Sequence, residues 1–190
     1  MSSSLPASIP PGRLRLTVQD YLELPDDGRR YELLDGEIVT TPAAVPRHQR
    51  IVGRLYRALV SQLDGRAGGE TLIAPIDVVL DTGTVVQPDV LWIARERLSI
   101  IGEKCIEGPP DLVVEVLSPS TRRRDVLTKS TLYARFGVRM YWIADPDLDR
   151  LERYRLEDDT YVHLGTEQAP NAVEPAELPG LRLDLAHVFG

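Results

Sequence analysis

Two acidic side chains interrupt apolar segments of this sequence. Asp89 lies in VVQPDVLWI and Glu115 in DLVVEVLS, and both segments have the composition of strands. A carboxylate buried in a strand is costly unless it is paired or bound to a metal. Since Mg²⁺ prefers oxygen ligands and often uses one or two carboxylates, the pair predicts a divalent-cation site. The alternative is that each side chain points outward, which suits Asp89 equally well because Pro88 marks an edge or a bulge.

Lys129 is the third candidate, on a helix predicted over 121–136 and closed by Gly137. At about 100° per residue, Lys129 shares the apolar face of this helix, whose other members are Val126, Leu132, Tyr133 and Phe136. The remaining cations lie on the other side, at Arg123, Arg124 and Arg135. An inward lysine beside Asp125 indicates a functional role. The alternative is a lysine whose stem follows the core to its rim.

Two further residues are candidates for the same site. His48 opens a helix predicted over 46–64 and falls within its apolar arc, where it would be a base or a DNA contact. The alternative for His48 is a first-turn histidine bonded to the backbone. Glu32 lies in the first strand and would join the acidic cluster if its side chain faces that way.

The predicted helix over 46–64 also carries a stripe of four arginines, Arg47, Arg50, Arg54 and Arg57. A solvated face is the preferred interpretation of this stripe, and a phosphate-contacting face is the alternative. The net charge of −7 argues against tight non-specific coating of DNA, which needs a basic face. It does not exclude a nuclease, because acidic metal ligands themselves add negative charge.

Length and composition suit one globular domain over residues 15–190, preceded by a polar, proline-rich tail over 1–14. The tail lacks the features of a signal peptide, and no run of 18 apolar residues follows, so we expect a cytoplasmic protein without a membrane span. The single cysteine, Cys105, excludes an internal disulfide and a cysteine-based metal site.

The elements that must position these residues are mostly strands. Hairpins are predicted around Asp35-Gly36, between 71–80 and 85–93, and around Asp158-Asp159. A buried strand over 109–120 precedes the Lys129 helix, and another strand, a short strand and a short helix complete the chain. This order predicts an α/β (α+β) fold with a mixed β-sheet flanked by helices. Phosphate-binding glycine loops, GxSxG and HExxH motifs are absent.

Six segments, taken in order, resemble one known family. They are YELLDGEIV, a helix opening with histidine, VQPDVLWI, GPPDLVVEVLSPST, a D…K…Y…GV pattern and YWIADP. Together they resemble the Uma-two family (domain of unknown function eight-twenty), described as restriction endonucleases of the PD-(D/E)XK superfamily. The resemblance covers roughly residues 15–185 and implies a restriction-endonuclease-like mixed sheet flanked by helices.

The superfamily pattern also implies roles for single residues. Asp89 of Gln87-Pro88-Asp89 resembles the first acid, and Glu115 resembles the second. The lysine of the pattern belongs two residues later, where this chain has Leu117. Lys129, on the next helix, fits the role of a displaced lysine.

We therefore expect a metal-dependent endonuclease that hydrolyses DNA phosphodiester bonds with Mg²⁺ or Mn²⁺. Asp89, Glu115 and the backbone carbonyl of Val116 would hold the ion, and Lys129 would orient the attacking water. Glu32 and His48 would assist. The alternative is a catalytically silent binding or dimerisation module of a mobile element or defence system, and a third interpretation is a domain with no ligand. A homodimer would suit the cutting of two strands.

Overall fold

The computed structural model describes residues 15–41, 43–65, 68–118 and 124–190, the last range with backbone alone for 124–126. The α-helices are α1 (Val18–Leu22), α2 (Pro46–Leu59), α3 (Arg124–Arg135) and α4 (Leu185–Phe189). The first seven strands are β1 (Arg30–Leu34), β2 (Glu37–Thr41), β3 (Glu70–Ile73), β4 (Val78–Asp81), β5 (Thr84–Val86), β6 (Val90–Ile93) and β7 (Ile106–Glu107). The others are β8 (Leu112–Val116), β9 (Met140–Asp145), β10 (Arg150–Glu157), β11 (Thr160–Gln168), β12 (Ala172–Val173) and β13 (Leu183–Asp184).

Two larger sheets organise the described part of the chain. The central sheet has six strands in the order β11-β10-β9-β8-β6-β3, and only its β8–β9 pair is parallel. The second sheet has five strands in the order β2-β1-β5-β4-β7, with β4 and β7 parallel. The strands β12 and β13 form a small antiparallel pair. The mixed α+β architecture predicted from the sequence is confirmed.

Local sequence signals explain the N-terminal elements. The side chain of Thr17 and that of Asp20 cap α1 reciprocally, as the spacing predicts. The hairpin of β1 and β2 turns through Asp35 and Gly36, whose φ angles are 51° and 83°. Two successive positive φ values are what an Asp-Gly two-residue hairpin turn requires, so this hairpin is confirmed.

The hairpin predicted between 71–80 and 85–93 requires a correction. Its pairing is antiparallel, but it is divided between the sheets: β4 pairs with β5 in the second sheet, and β3 pairs with β6 in the central sheet. Pro75 and Pro88 lie in the two breaks. Because proline donates no backbone hydrogen bond, the ladder is interrupted at these positions, and the chain crosses from one sheet to the other.

The two faces of the central sheet are covered differently. On one face, α2 buries Ile51, Val52, Leu55 and Leu59, and the C-terminal segment packs beside it. The predicted helix over 46–64 is α2 extended by a π-helical turn, Val60–Asp64. On the other face lie α3, through Tyr133, and residues of the second sheet. None of the described helices is long and apolar enough to cross a membrane.

Candidate metal and catalytic site

The two acids meet where β6 begins and β8 ends. Val90 pairs with Val114 in this antiparallel ladder, so extending the register by one residue places Asp89 opposite Glu115. Both side chains are mostly buried, with 11 % of Asp89 and 12 % of Glu115 exposed. The two strands are therefore adjacent in one sheet, and the outward-facing interpretation of the two acids is wrong.

Asp89 is held by the backbone of β8 and by α2. Its Oδ2 atom accepts a hydrogen bond of 2.9 Å from the backbone N–H of Val116 and lies 3.3 Å from Nε2 of His48. The His48 side chain is 8 % exposed, and its buried Nδ1 atom has no hydrogen-bond partner in the described ranges. Oδ1 of Asp89 accepts no hydrogen bond from the part of the chain that is described.

Glu115 is held by two side chains of α3. Its Oε1 atom accepts a hydrogen bond of 2.7 Å from the Tyr133 hydroxyl and one of 3.1 Å from Nζ of Lys129. Its Oε2 atom accepts none from residues 15–41, 43–65, 68–118 and 124–190. As at Asp89, one carboxylate oxygen is hydrogen-bonded within the described residues and the other is not.

Lys129 joins the two large sheets. Its ammonium is 3.1 Å from Oε1 of Glu115 on β8 and 2.9 Å from Oε1 of Glu32 on β1. The same Glu32 oxygen accepts a hydrogen bond of 2.7 Å from the backbone N–H of Gln87. With 12 % of the Lys129 side chain exposed, the interpretation of a rim lysine is wrong.

The electrostatics of this group reflect an excess of negative charge. Burial raises the pKa of Glu115 to about 7, with the charges of Asp89 and Glu32 adding to the effect and Lys129 opposing it. Burial alone would lower the pKa of Lys129, but Glu115 and Glu32 reverse the effect and raise it, so the amine stays protonated.

His48 behaves in the same way as the lysine. Burial disfavours its imidazolium form, but the hydrogen bond and the charge of Asp89 outweigh burial and raise the pKa of His48. Three buried carboxylates therefore share one permanently charged amine and one titratable imidazole. A further cation would relieve this imbalance.

The oxygen atoms that could coordinate an ion at this site suit a hard divalent cation. They are Oδ1 of Asp89, Oε2 of Glu115 and the carbonyl of Val116, which the His48 imidazole also contacts. The described residues contain no group of three or more histidine, cysteine, aspartate or glutamate side chains arranged for a metal. Two carboxylates are nevertheless enough for Mg²⁺, which keeps several of its waters. The residues present therefore fit the ion.

The structure brings together all five side chains that the sequence analysis predicts for the site, Asp89, Glu115, Lys129, Glu32 and His48. The side chain of Asp125, predicted beside Lys129, lies outside the described residues. Two contacts were missed by sequence reasoning. The apolar face of the helix predicts a core residue at Tyr133, although its position four residues after Lys129 puts it on the same face as the lysine. Gln87 gave no signal, because it acts through its backbone N–H.

The arginine stripe of α2 is partly used within the molecule. Arg47 pairs with Asp149, and Arg54 donates to the carbonyl oxygens of Val188 and Gly190. For these two of the four arginines, the internal contacts argue against the phosphate-contacting alternative.

Comparison with known proteins gives a family for this arrangement. The model of the family described as "Uma2: Putative restriction endonuclease" matches residues 18–186. The chain belongs to the Uma2 family. A curated relative, "Uncharacterized protein sll1609" of Synechocystis sp., is 26% identical over 143 residues, which cover 74% of this chain and 80% of the relative.

A solved structure shares the fold of this chain. It is described as a "putative nuclease belonging to DUF820" from Anabaena variabilis ATCC 29413. The match has a TM-score of 0.74 and 20% sequence identity, and it covers 92% of this chain and 97% of that one. At this identity the likeness establishes the fold, so the restriction-endonuclease-like architecture predicted from the sequence is confirmed.

Proposed function

We propose that this Uma2 protein is a Mg²⁺- or Mn²⁺-dependent endonuclease that hydrolyses phosphodiester bonds of DNA. One observation carries the proposal: two facing, buried carboxylates, Asp89 and Glu115, each keep one oxygen free of hydrogen bonds from the described residues. With Glu32, these carboxylates outnumber the single Lys129 ammonium, and burying that excess of negative charge is costly unless a proton or a further cation shares the site. Membership of a family described as restriction endonucleases supports the choice of DNA as substrate.

Asp89, Glu115 and the Val116 carbonyl would hold the ion. When bound, the cation supplies Lewis acidity toward a phosphoryl oxygen and lowers the pKa of a coordinated water. The hydrogen bond from Val116 N–H to Asp89 keeps this carboxylate beside the end of β8. The two acids therefore belong to one rigid ladder, and this rigidity limits the reorganisation that binding requires.

Lys129 would orient the attacking water and offset charge that develops on the phosphoryl group. Its raised pKa keeps it charged at neutral pH, so it acts as an electrostatic group and not as a base. Glu32 is a positioning residue, because its carboxylate, fixed by the Gln87 N–H, holds the ammonium beside Glu115.

His48 approaches Asp89 from the opposite side of the site. Its imidazole lies 3.3 Å from the oxygen of Asp89 that Val116 also contacts. In the neutral form, an imidazole there would accept a proton from a water at the site or contact the DNA backbone. A cytoplasmic location and a homodimer with two sites for two strands belong to the same proposal.

A second candidate is a catalytically silent binding or dimerisation module. The net charge of −7, together with the internal pairing of Arg47 and Arg54, favours it, because both reduce the positive surface offered to DNA. The two candidates differ in one observable, cleavage that depends on a metal ion.

The test combines binding with cleavage. Calorimetric titration of Mn²⁺ into the parent should show one site per chain, and Asp89→Asn should abolish it. Asp159→Asn, an exposed acid between β10 and β11, is the matched control and should bind as the parent does. Supercoiled plasmid and single-stranded circular DNA should be cut by the parent with Mn²⁺ and not with chelator. Binding without cleavage would favour the silent module, and equal binding by Asp89→Asn would exclude the site.

A further inference from the structure

Tyr133 makes a contact that core packing does not require. It lies on α3, is fully buried, and donates its hydroxyl to Oε1 of Glu115 at 2.7 Å. The adjacent Tyr141, also on this face of the central sheet, is equally buried, with its ring centroid 5.3 Å from that of Tyr133. The hydroxyl of Tyr141 has no hydrogen-bond partner in the described ranges. Two neighbouring tyrosines thus share one environment, but only one touches the site.

We infer that Tyr133 is a positioning residue of the proposed metal site, where its hydroxyl fixes the Glu115 carboxylate so that Oε2 is the oxygen left for the cation. This inference rests on the proposed function. Glu115 has rotatable bonds that would let either oxygen face the α3 side chains. Lys129 alone is a long, flexible contact, whereas a buried phenol has a fixed ring and one donor.

The spacing on α3 supports this role. Lys129 and Tyr133 are four residues apart, so they rise one above the other on the same face of the helix. Both contact Oε1 of Glu115, at 3.1 Å and 2.7 Å. Two donors on one oxygen define the orientation of the carboxylate plane better than one does. A residue that orients a metal ligand in this way typically changes metal affinity 10- to 100-fold when it is removed.

The test removes one hydroxyl from each tyrosine. Tyr133→Phe keeps the ring and deletes the donor, and Tyr141→Phe makes the same change where the hydroxyl has no partner. We expect the Mn²⁺ dissociation constant of Tyr133→Phe to rise about 10- to 100-fold, and that of Tyr141→Phe to stay within about twofold of the parent. Titration calorimetry measures both without any need for cleavage.

A rate measurement separates positioning from damage to the fold. If Tyr133 acts through the metal, Tyr133→Phe should cut plasmid slowly at limiting Mn²⁺ and regain most of the parental rate at saturating Mn²⁺. A rate that stays low at saturation, an unchanged dissociation constant, or an equal loss in Tyr141→Phe would overturn the inference. So would failure of Tyr133→Phe to fold when Tyr141→Phe folds. A parent that binds no Mn²⁺ would instead reject the proposed function on which the inference rests.

Discussion

The two ends of β8 carry two buried acids in opposite electrostatic situations. Asp111 precedes the strand and is 1% exposed, and it meets the guanidinium groups of Arg97 at 3.0 Å and Arg139 at 3.3 Å. Its other oxygen accepts a hydrogen bond of 2.8 Å from the backbone N–H of Ala94. Glu115, four residues later, has one amine and two neighbouring carboxylates. Strand period places both acids on the same face of the sheet.

The difference shows that burial alone does not mark a functional acid. At Asp111, two cations and a backbone donor satisfy one carboxylate, so its negative charge is fully compensated and both oxygens are used. At Glu115, the carboxylates outnumber the permanent cations, and one oxygen has no donor in the described ranges. The first arrangement serves stability, and the second is the one to which the proposed function assigns an added cation.

The largest effect should follow loss of the Lys129 ammonium at the Glu115 end of β8. Lys129→Met keeps the length of the stem and removes the charge. Removing a preorganised electrostatic group typically lowers cleavage on the order of 100- to 1000-fold. Mn²⁺ binding, measured by calorimetry, should persist. Stability should fall by about 3 kcal/mol in denaturant unfolding, because Glu32 and Glu115 lose their shared partner.

Two further variants sharpen this test. Arg97→Met removes a cation from the Asp111 end and should lower stability without changing the cleavage rate of the folded protein. Lys129→Ala combined with Leu117→Lys places an amine where the superfamily pattern has one. Compared with Lys129→Ala alone, the double variant should cleave about tenfold faster, equivalent to ~1.4 kcal/mol of activation free energy. Cleavage by Lys129→Met at the parental rate would show that the lysine is structural.

An intermediate effect should follow the same chemical change made at both ends of β8. Asp111→Asn leaves Arg97 and Arg139 without a counter-charge and turns one acceptor into a donor. It should destabilise the protein by roughly 2–4 kcal/mol. Glu115→Gln should leave the metal-free protein as stable as the parent at pH 8, or more stable, because it relieves the carboxylate excess. Denaturant unfolding in chelator measures both, and the same sign of change for the two would remove the contrast.

The smallest effect concerns pH. An acid whose pKa is raised by folding binds more protons in the folded state than in the unfolded state. The contribution of Glu115 to stability therefore declines as pH rises from its unfolded pKa of about 4.5 to its folded pKa of about 7. A raised histidine pKa acts in the same direction, since the stabilisation by His48 is full below about 6.5 and declines above it.

The metal-free protein should therefore lose stability between about pH 4.5 and pH 8 through these groups. Denaturant unfolding across this range should show a shallower decline in Glu115→Gln than in the parent. Saturating Mn²⁺ should also reduce the decline, because it takes the place of the proton. An equal slope in parent and variant would mean that Glu115 does not carry the excess charge.

Much of the candidate site could be predicted because its signals are local. Asp89 and Glu115 interrupt apolar strands, and the helical period alone places Lys129 inward. Local sequence signals do not show that Glu115 and Asp111 have different roles. Asp111 directly precedes the apolar strand and Glu115 lies within it, and only the tertiary contacts of Asp111 with Arg97 and Arg139 distinguish the two acids.

The fold was predictable to a similar depth. Hairpins with Asp-Gly or Asp-Asp turns and the capped α1 follow from neighbouring residues. The division of one hairpin between two sheets depends on which distant strands complete each ladder, and no short window of sequence contains that information. Likewise, the contact of Tyr133 with Glu115 needs the packing of α3 on β8, since an apolar helix face does not show which of its members carries a polar contact.

The ion pairs of Lys129 have a consequence for the synthesis of the chain. The ammonium contacts one carboxylate from each large sheet, so neither half of the molecule contains the site by itself. Glu32 leaves the ribosome early and Lys129 much later, and the two acids at β6 and β8 emerge between them. A partly synthesised or truncated chain would therefore lack the complete Lys129 cluster, and the proposed nuclease activity would arise only after translation has passed α3.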